Sequence, residues 1–256
     1  MTGDSGGART VNVRLVVQYD GTLFHGFQKQ PGVRTVQETL EEALRALLGE
    51  PVRVTGASRT DAGVHALGQS VNFTAAVPAI PPSRIAPALA RFLPRDLAAV
   101  SSAEAPPDFN ARFHARRKTY RYVCYRSLRP VPFLRNHALN VRPGTKTAPM
   151  RVGCAHVVGE HDFSAFRSRG GEDDDGSAVR TIYDFSIEEK DPFIVFTVEG
   201  SGFLYRMVRT MVGTLLEVGL GRRAPGDLKR IIESRERSSA GPAAPPHGLY
   251  LIRVEY

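Results

Sequence analysis

Between Gly56 and Gln69 the chain reads GASRTDAGVHALGQ, which places one arginine, Arg59, and one carboxylate, Asp61, in a glycine-punctuated turn between two segments of strand character. An ionised carboxylate presented on such a loop is able to act as a nucleophile or as a general base. Ala62 and Gly63 are small enough to let a ligand or another backbone approach closely, and Gly63 is able to take the positive φ of a tight turn. His65 follows, but a histidine just inside the next segment is more often a satisfied structural residue than a catalyst, and no role is assigned to it. Thr-Asp-Ala-Gly is also ordinary turn chemistry, and residue types alone leave that plainer reading as good as the chemical one.

Two further groups bear on chemistry. Arg112, Arg116, Arg117, Lys118 and Arg121 fall within ten positions and are interleaved with Phe113, Tyr120 and Tyr122. Guanidinium forks take phosphates bidentately and aromatic rings stack on unpaired bases, which suits RNA. A solvated charged face over a half-buried strand is the plainer reading of such a run, and the net positive charge together with the neighbouring Asp61 loop reverses that preference. Arg206 and Arg209 stand three apart on an expected helix and so share a face, beside a buried stripe of Leu204, Val208, Met211, Val212 and Leu215. An arginine next to such a stripe needs a carboxylate or water as partner.

The elements that must position these groups follow from periodicity. Val11, Val13, Leu15, Val17 and Tyr19 alternate as a half-buried strand does. Thr35 with Glu38 forms a capping box, after which Leu40, Ala43, Leu44, Leu47 and Leu48 recur at helical spacing until Gly49 and Pro51. The Asp61 loop leads into a strand Ser70 to Ala75, a short helix from Ser83 to Phe92 and a strand Leu97 to Glu104, giving a β-α-β-β-α-β order. Pro106-Pro107 is the expected boundary, which divides the chain into a tail 1–10, a first half 11–107 with the Asp61 loop, and a second half 108–256. In the second half we expect strands Thr119 to Arg126, Thr181 to Glu188, Ile194 to Gly200 and Leu249 to Val254. Helices are expected over Ala148 to Val158, over Tyr205 to Val218 and after Pro225. Strand pairs joined by short turns predict antiparallel sheets covered by helices on one face, an α+β arrangement.

The global numbers agree with a polyanionic partner. Lys and Arg number 34 against 26 Asp and Glu, a net charge of +8 in 256 residues, with an isoelectric point near 9.8. No apolar run reaches the roughly 18 to 20 residues of a membrane span, and Met1 to Thr10 lacks the apolar core of a secretory signal, so no membrane association is expected. Cys124 and Cys154 lie in strand-like and helix-like surroundings and read as buried reduced thiols. The seven histidines show no metal-ligand spacing, and Gly21, Gly26 and Gly32 fit neither GxGxxG nor a P-loop, so neither a metal nor a nucleotide cofactor is expected.

The segment ASRTDAGVHALGQ closely resembles the active-site loop of the tRNA pseudouridine synthase A family. The likeness continues, in the family's order, through Tyr19-Asp20-Gly21, Gly26-Phe27-Gln28, Thr35-Val36-Gln37-Glu38, Phe109-Asn110-Ala111-Arg112-Phe113, Lys118-Thr119-Tyr120-Arg121-Tyr122, Phe203 to Arg209 and Gly248-Leu249-Tyr250-Leu251. Phe27 stands where many relatives carry Trp, which would weaken any stacking contact there, and the acidic insert Glu172 to Asp175 has no place in the family pattern.

The resemblance implies two ferredoxin-like-ordered α/β halves joined through a mixed, largely antiparallel sheet with a basic active-site cleft. It implies conversion of uridine to pseudouridine at positions 38 to 40 in the anticodon arm of tRNA, with Asp61 as catalytic carboxylate. It implies substrate-binding roles for Tyr120, Arg209 and Arg59. Arg209 would pair with Asp61 and favour its ionised form, and Tyr120 would stack on the detached uracil and relay a proton through its hydroxyl, a core tyrosine being the plainer reading. From its place two residues before Asp61, Arg59 would fill the vacated stack or hold the flipped nucleotide's phosphate. A cytoplasmic homodimer in which one RNA touches both subunits completes the expectation. A catalytically silent RNA-binding protein is the alternative. A glycoside hydrolase ranks below it, because a second, opposed carboxylate is required and Asp20 is the nearest acid with a motif-like context.

Overall fold

The computed structural model describes residues 10–76, 80–170 and 176–256. The acidic insert Glu172–Asp175 and residues 1–9 of the expected tail lie outside them. Two compact units are present: the chain up to Ala62 with Ala66–Ala115, and Gly63–His65 with Arg116–Tyr256.

In the first unit the order is β1 (Thr10–Tyr19), α1 (Val36–Leu48), β2 (Thr55–Gly56), β3 (His65–Ala76), α2 (Ile85–Leu89) and β4 (Leu97–Ala105), which is the β-α-β-β-α-β order that periodicity predicts. β1 is central, antiparallel to β3 on one side and β4 on the other, and β2 adds to β3. The alternation of β1 reads directly as burial: Val13, Leu15 and Val17 are fully covered. Thr35 caps α1 through its hydroxyl, which accepts from the Glu38 N–H, and Gly49 ends it in the left-handed region at φ 79°. The helix expected over Ser83 to Phe92 is shorter, a 3₁₀ turn over Pro82–Arg84 followed by five α-helical residues, Ile85–Leu89; Pro87, having no N–H to give the Ser83 carbonyl, keeps the α-helix from starting earlier. β3 starts five residues before the expected Ser70, since it pairs with β1 as far as Ala66 opposite Tyr19.

The second unit contains β5 (Arg117–Arg126), β6 (Leu139–Val141), α3 (Thr147–Ala155), β7 (Gly159–Asp162), β8 (Val179–Lys190), β9 (Phe193–Gly200), α4 (Met207–Gly219), α5 (Asp227–Ser234) and β10 (Leu249–Glu255). Its strands run in the order β10-β5-β9-β8-β7, all antiparallel, with β6 parallel to the end of β5. α3 and α4 pack together, with Met150, Cys154, Met211 and Leu215 among the covered side chains. The architecture is therefore α+β with a mixed, mostly antiparallel strand arrangement. Both cysteines are buried and free, and burial pushes the Cys154 thiol up to about 12 and Cys124 higher still, which makes both unreactive. Among the described residues no helix is long and apolar enough to cross a membrane.

Candidate active site

In the first unit the loop carrying Asp61 is fixed at several points. On the β3 side the Gln69 amide, fully buried, brackets Ser58: its Oε1 accepts from the Ser58 N–H at 3.2 Å and its Nε2 donates to the Ser58 carbonyl at 2.6 Å. The Ala57 N–H donates to the Ser70 carbonyl at 2.8 Å. On the β1 side the Tyr19 hydroxyl and Thr60 Oγ1 are hydrogen-bonded at 2.8 Å in a buried position. The Thr60 carbonyl accepts from the Phe27 N–H at 3.0 Å. That approach requires glycine at position 26, where φ is 91° and a Cβ would stand 2.8 Å from the Thr60 oxygen.

With Ser58 and Thr60 buried, Arg59 points outward and is exposed, while Asp61 is partly covered and Ala62 open. The turn closes at Gly63, whose φ of 78° bears out the expected left-handed position. Asp20, the other acid considered, caps the 3₁₀ turn Gly21–Leu23: its Oδ1 accepts from the Thr22 N–H at 3.0 Å and from the Thr22 hydroxyl at 2.5 Å. Phe27 is not placed for stacking on a ligand. It is only 3% exposed, and its ring lies against the Gly56 backbone as part of the core beneath the loop.

In the second unit Tyr120 sits in β5 opposite Leu251 of β10 and Val198 of β9, nearly buried, with its ring edge-to-face on Phe203 at 5.2 Å. Tyr122 is a core residue. Its hydroxyl donates to the Pro245 carbonyl at 2.8 Å, and burial raises its pKa far above the ordinary phenol value. The two rings stand two positions apart on one covered face of β5, whereas Arg121 between them is exposed, so of the aromatic residues in the basic run only Phe113 is presented outward, at 74% exposure.

Arg209 lies in the first turn of α4, 9% exposed, and its Nε donates to the Ala244 carbonyl at 2.8 Å while its own carbonyl accepts from the Ala244 N–H at 2.9 Å. Arg206 does not share its face. It is left-handed, at φ 59° and ψ 11°, and precedes the helix, with its guanidinium over the Tyr205 ring at 4.8 Å. His65 is structural in its surroundings: buried, donating from Nε2 to the carbonyls of Asn136 (2.8 Å) and His247 (3.2 Å), and stacked on Tyr250 at 4.7 Å.

The structure thus places Asp61 and Arg59 on one anchored loop of the first unit, and Tyr120 and Arg209 in the second. Tyr19 and Gln69, which hold the loop, were given no role by spacing. Their bonds join residues whose proximity only the strand register reveals.

The family model for tRNA pseudouridine synthase matches residues 15–114 and 154–256. Curated relatives named tRNA pseudouridine synthase A include that of Acetivibrio thermocellus, 47% identical over 245 residues, covering 96% of this chain and 99% of the relative. Those of a Thermoanaerobacter species (42% identical, 96% and 99% covered) and of Ruminiclostridium cellulolyticum (43% identical, 95% and 99% covered) are similar. The chain belongs to the tRNA pseudouridine synthase family, isomerases that convert uridine to pseudouridine in tRNA.

Proposed function

We propose that this synthase modifies uridines at positions 38 to 40 of the tRNA anticodon arm, with Asp61 as its catalytic carboxylate. The observation that supports this most is the anchoring of the Asp61 loop: buried bonds at Ser58 and Thr60 hold the backbone on the N-terminal side of a partly covered carboxylate. A catalytic group held within a fraction of an ångström of its productive geometry is what such anchoring supplies.

The isomerisation breaks the N1 to C1′ bond, turns the uracil over and joins C5 to C1′. The C5 hydrogen leaves as a proton and N1 takes one up, so no electrons are exchanged with another reagent. Asp61 as an ionised carboxylate serves this sequence as nucleophile or base. Tyr120 and Arg209 serve substrate binding, and Arg59, exposed on the Asp61 loop, compensates the cost of extruding the target nucleotide. A homodimer acting on one RNA, in the cytoplasm, completes the reading.

The test is tritium release from tRNA labelled at uridine C5, comparing the wild type with Asp61→Asn. Release that disappears in a folded, tRNA-binding Asp61→Asn protein is the expected result, and equal release from both would show that another residue is catalytic. Mapping the product to positions outside 38 to 40 would overturn the substrate assignment.

A further inference from the structure

Phe113 is an exposed phenylalanine on a turn that the fold fixes with unusual care. The Asn110 Oδ1 accepts the N–H groups of both Arg112 (2.9 Å) and Phe113 (3.2 Å), and the Asn110 carbonyl accepts from His114 N–H at 3.1 Å. Ala111, fully buried, donates its N–H to the Asn72 Oδ1 at 2.8 Å. Asn12 and Asn72, from β1 and β3, donate to the Phe109 carbonyl at 2.8 and 3.1 Å and are bonded to each other at 3.0 Å. The sheet therefore grips the turn from two strands and holds Cβ of residue 113 outward, where a polar side chain would serve the fold equally well. One face of the ring is backed by the Arg112 guanidinium at 5.3 Å from the centroid.

We propose that Phe113, backed by Arg112, is a stacking platform for an unpaired base of the tRNA substrate. This rests on the tRNA-modifying reading above and deepens it. Base stacking on an aromatic ring needs a flat, pre-oriented face and a cation to balance nearby phosphate, and both are present in a run that continues through the exposed Arg116 and Arg121. A second copy of the chain is the competing occupant. A two-fold contact would bring the same cations onto themselves, whereas RNA brings the opposite charge.

The chain has no tryptophan, so Phe113→Trp creates a single indole whose emission reports only on this position. Titration with tRNA should quench it, with a midpoint matching tRNA affinity measured by filter binding. Phe113→Ala should bind tRNA roughly 5- to 150-fold more weakly, raise KM and keep kcat, with an unchanged thermal unfolding midpoint. Unaltered indole emission together with Phe113→Ala affinity within twofold of the wild type would overturn the proposal. So would emission that changes with protein concentration in the absence of RNA, which would make the face an interface between copies. Quenching of the Phe113→Trp indole by tRNA, together with wild-type protein that binds tRNA but releases no tritium, would overturn the isomerase reading and leave the platform standing.

Discussion

At the scale of single residues, one of the groups that position Asp61 is the buried Gln69 amide. Replacing Gln69 by Ala leaves the Ser58 N–H and carbonyl without their buried partner, at roughly 1 to 3 kcal/mol for each group. The same change frees the loop at Ser58, one residue before Arg59 and three before Asp61, and a displacement of about 1 Å costs on the order of 100-fold in rate. Gln69→Ala should therefore lower both the urea midpoint and kcat, the latter even at temperatures where the protein is fully folded. Turnover equal to the wild type would show that Tyr19 and Phe27 suffice to hold the loop. A second residue-scale expectation concerns His247, whose pKa is depressed first by burial and then by the positive fields of His65, Arg209 and His137. The unfolded chain therefore binds a proton that the folded chain refuses, in the window from the ordinary value of 6.5 down to the depressed one. The contribution to stability is present above that window and is lost as pH falls through it. Urea unfolding at several pH values should show a decline below pH 6.5 in the wild type that is shallower in His247→Gln. Parallel declines would assign the effect to other groups.

Among the elements, α4 is where backbone approach leaves least room. A Cβ on Gly213 would stand 1.8 Å from the Pro242 carbonyl oxygen and 3.1 Å from the Ala244 nitrogen, on the same segment that Arg209 grips at Ala244. Ala ordinarily improves a helix over Gly by about 1 kcal/mol, yet overpacking here should reverse the sign and cost about 3 kcal/mol or more. Gly213→Ala should lower the melting temperature and, by moving Ala244, disturb Arg209. Gly144→Ala, with nothing within 4 Å, should leave it unchanged or slightly raised. A melting temperature preserved in Gly213→Ala would mean that the Pro242 segment yields easily. Elements such as α1 and β1 were legible in the sequence because capping and alternation are local signals. The start of β3 was not, since Ala66 to Gln69 have little strand propensity and are held extended by β1. Short, polar β7 and the left-handed Arg206 were likewise invisible, being set by neighbours distant in sequence. Asp61 stood out through the family resemblance of its loop, since residue types alone left ordinary turn chemistry as good a reading, whereas the bonds from Tyr19 and Gln69 that hold that loop join residues 41 and 11 positions apart.

For the whole molecule, a net charge of +8 makes tRNA affinity a function of salt. Each phosphate neutralised releases counterions, so the slope of log K against log salt is about −0.7 to −0.9 per contact, and six contacts imply roughly a 1,000-fold loss between 50 and 200 mM. The cations need not contribute alike. Arg117 is already engaged by Glu199, lies near Glu255 and packs over the Tyr183 ring, while Arg116 next to it is exposed. Arg116→Ala should flatten the slope by close to one contact, because a solvated guanidinium is exchanged for water and counterion at the phosphate. Arg117→Ala should leave the slope nearly unchanged and instead cost folding stability, because it removes one of the Glu199 carboxylate's partners and leaves it with Arg253 and the Thr119 hydroxyl among the described residues. Filter binding of tRNA across a salt series for the two variants separates these outcomes: equal slopes for Arg116→Ala and wild type would place the phosphates away from the start of β5, and a flattened slope for Arg117→Ala would mean that RNA displaces the carboxylates from it.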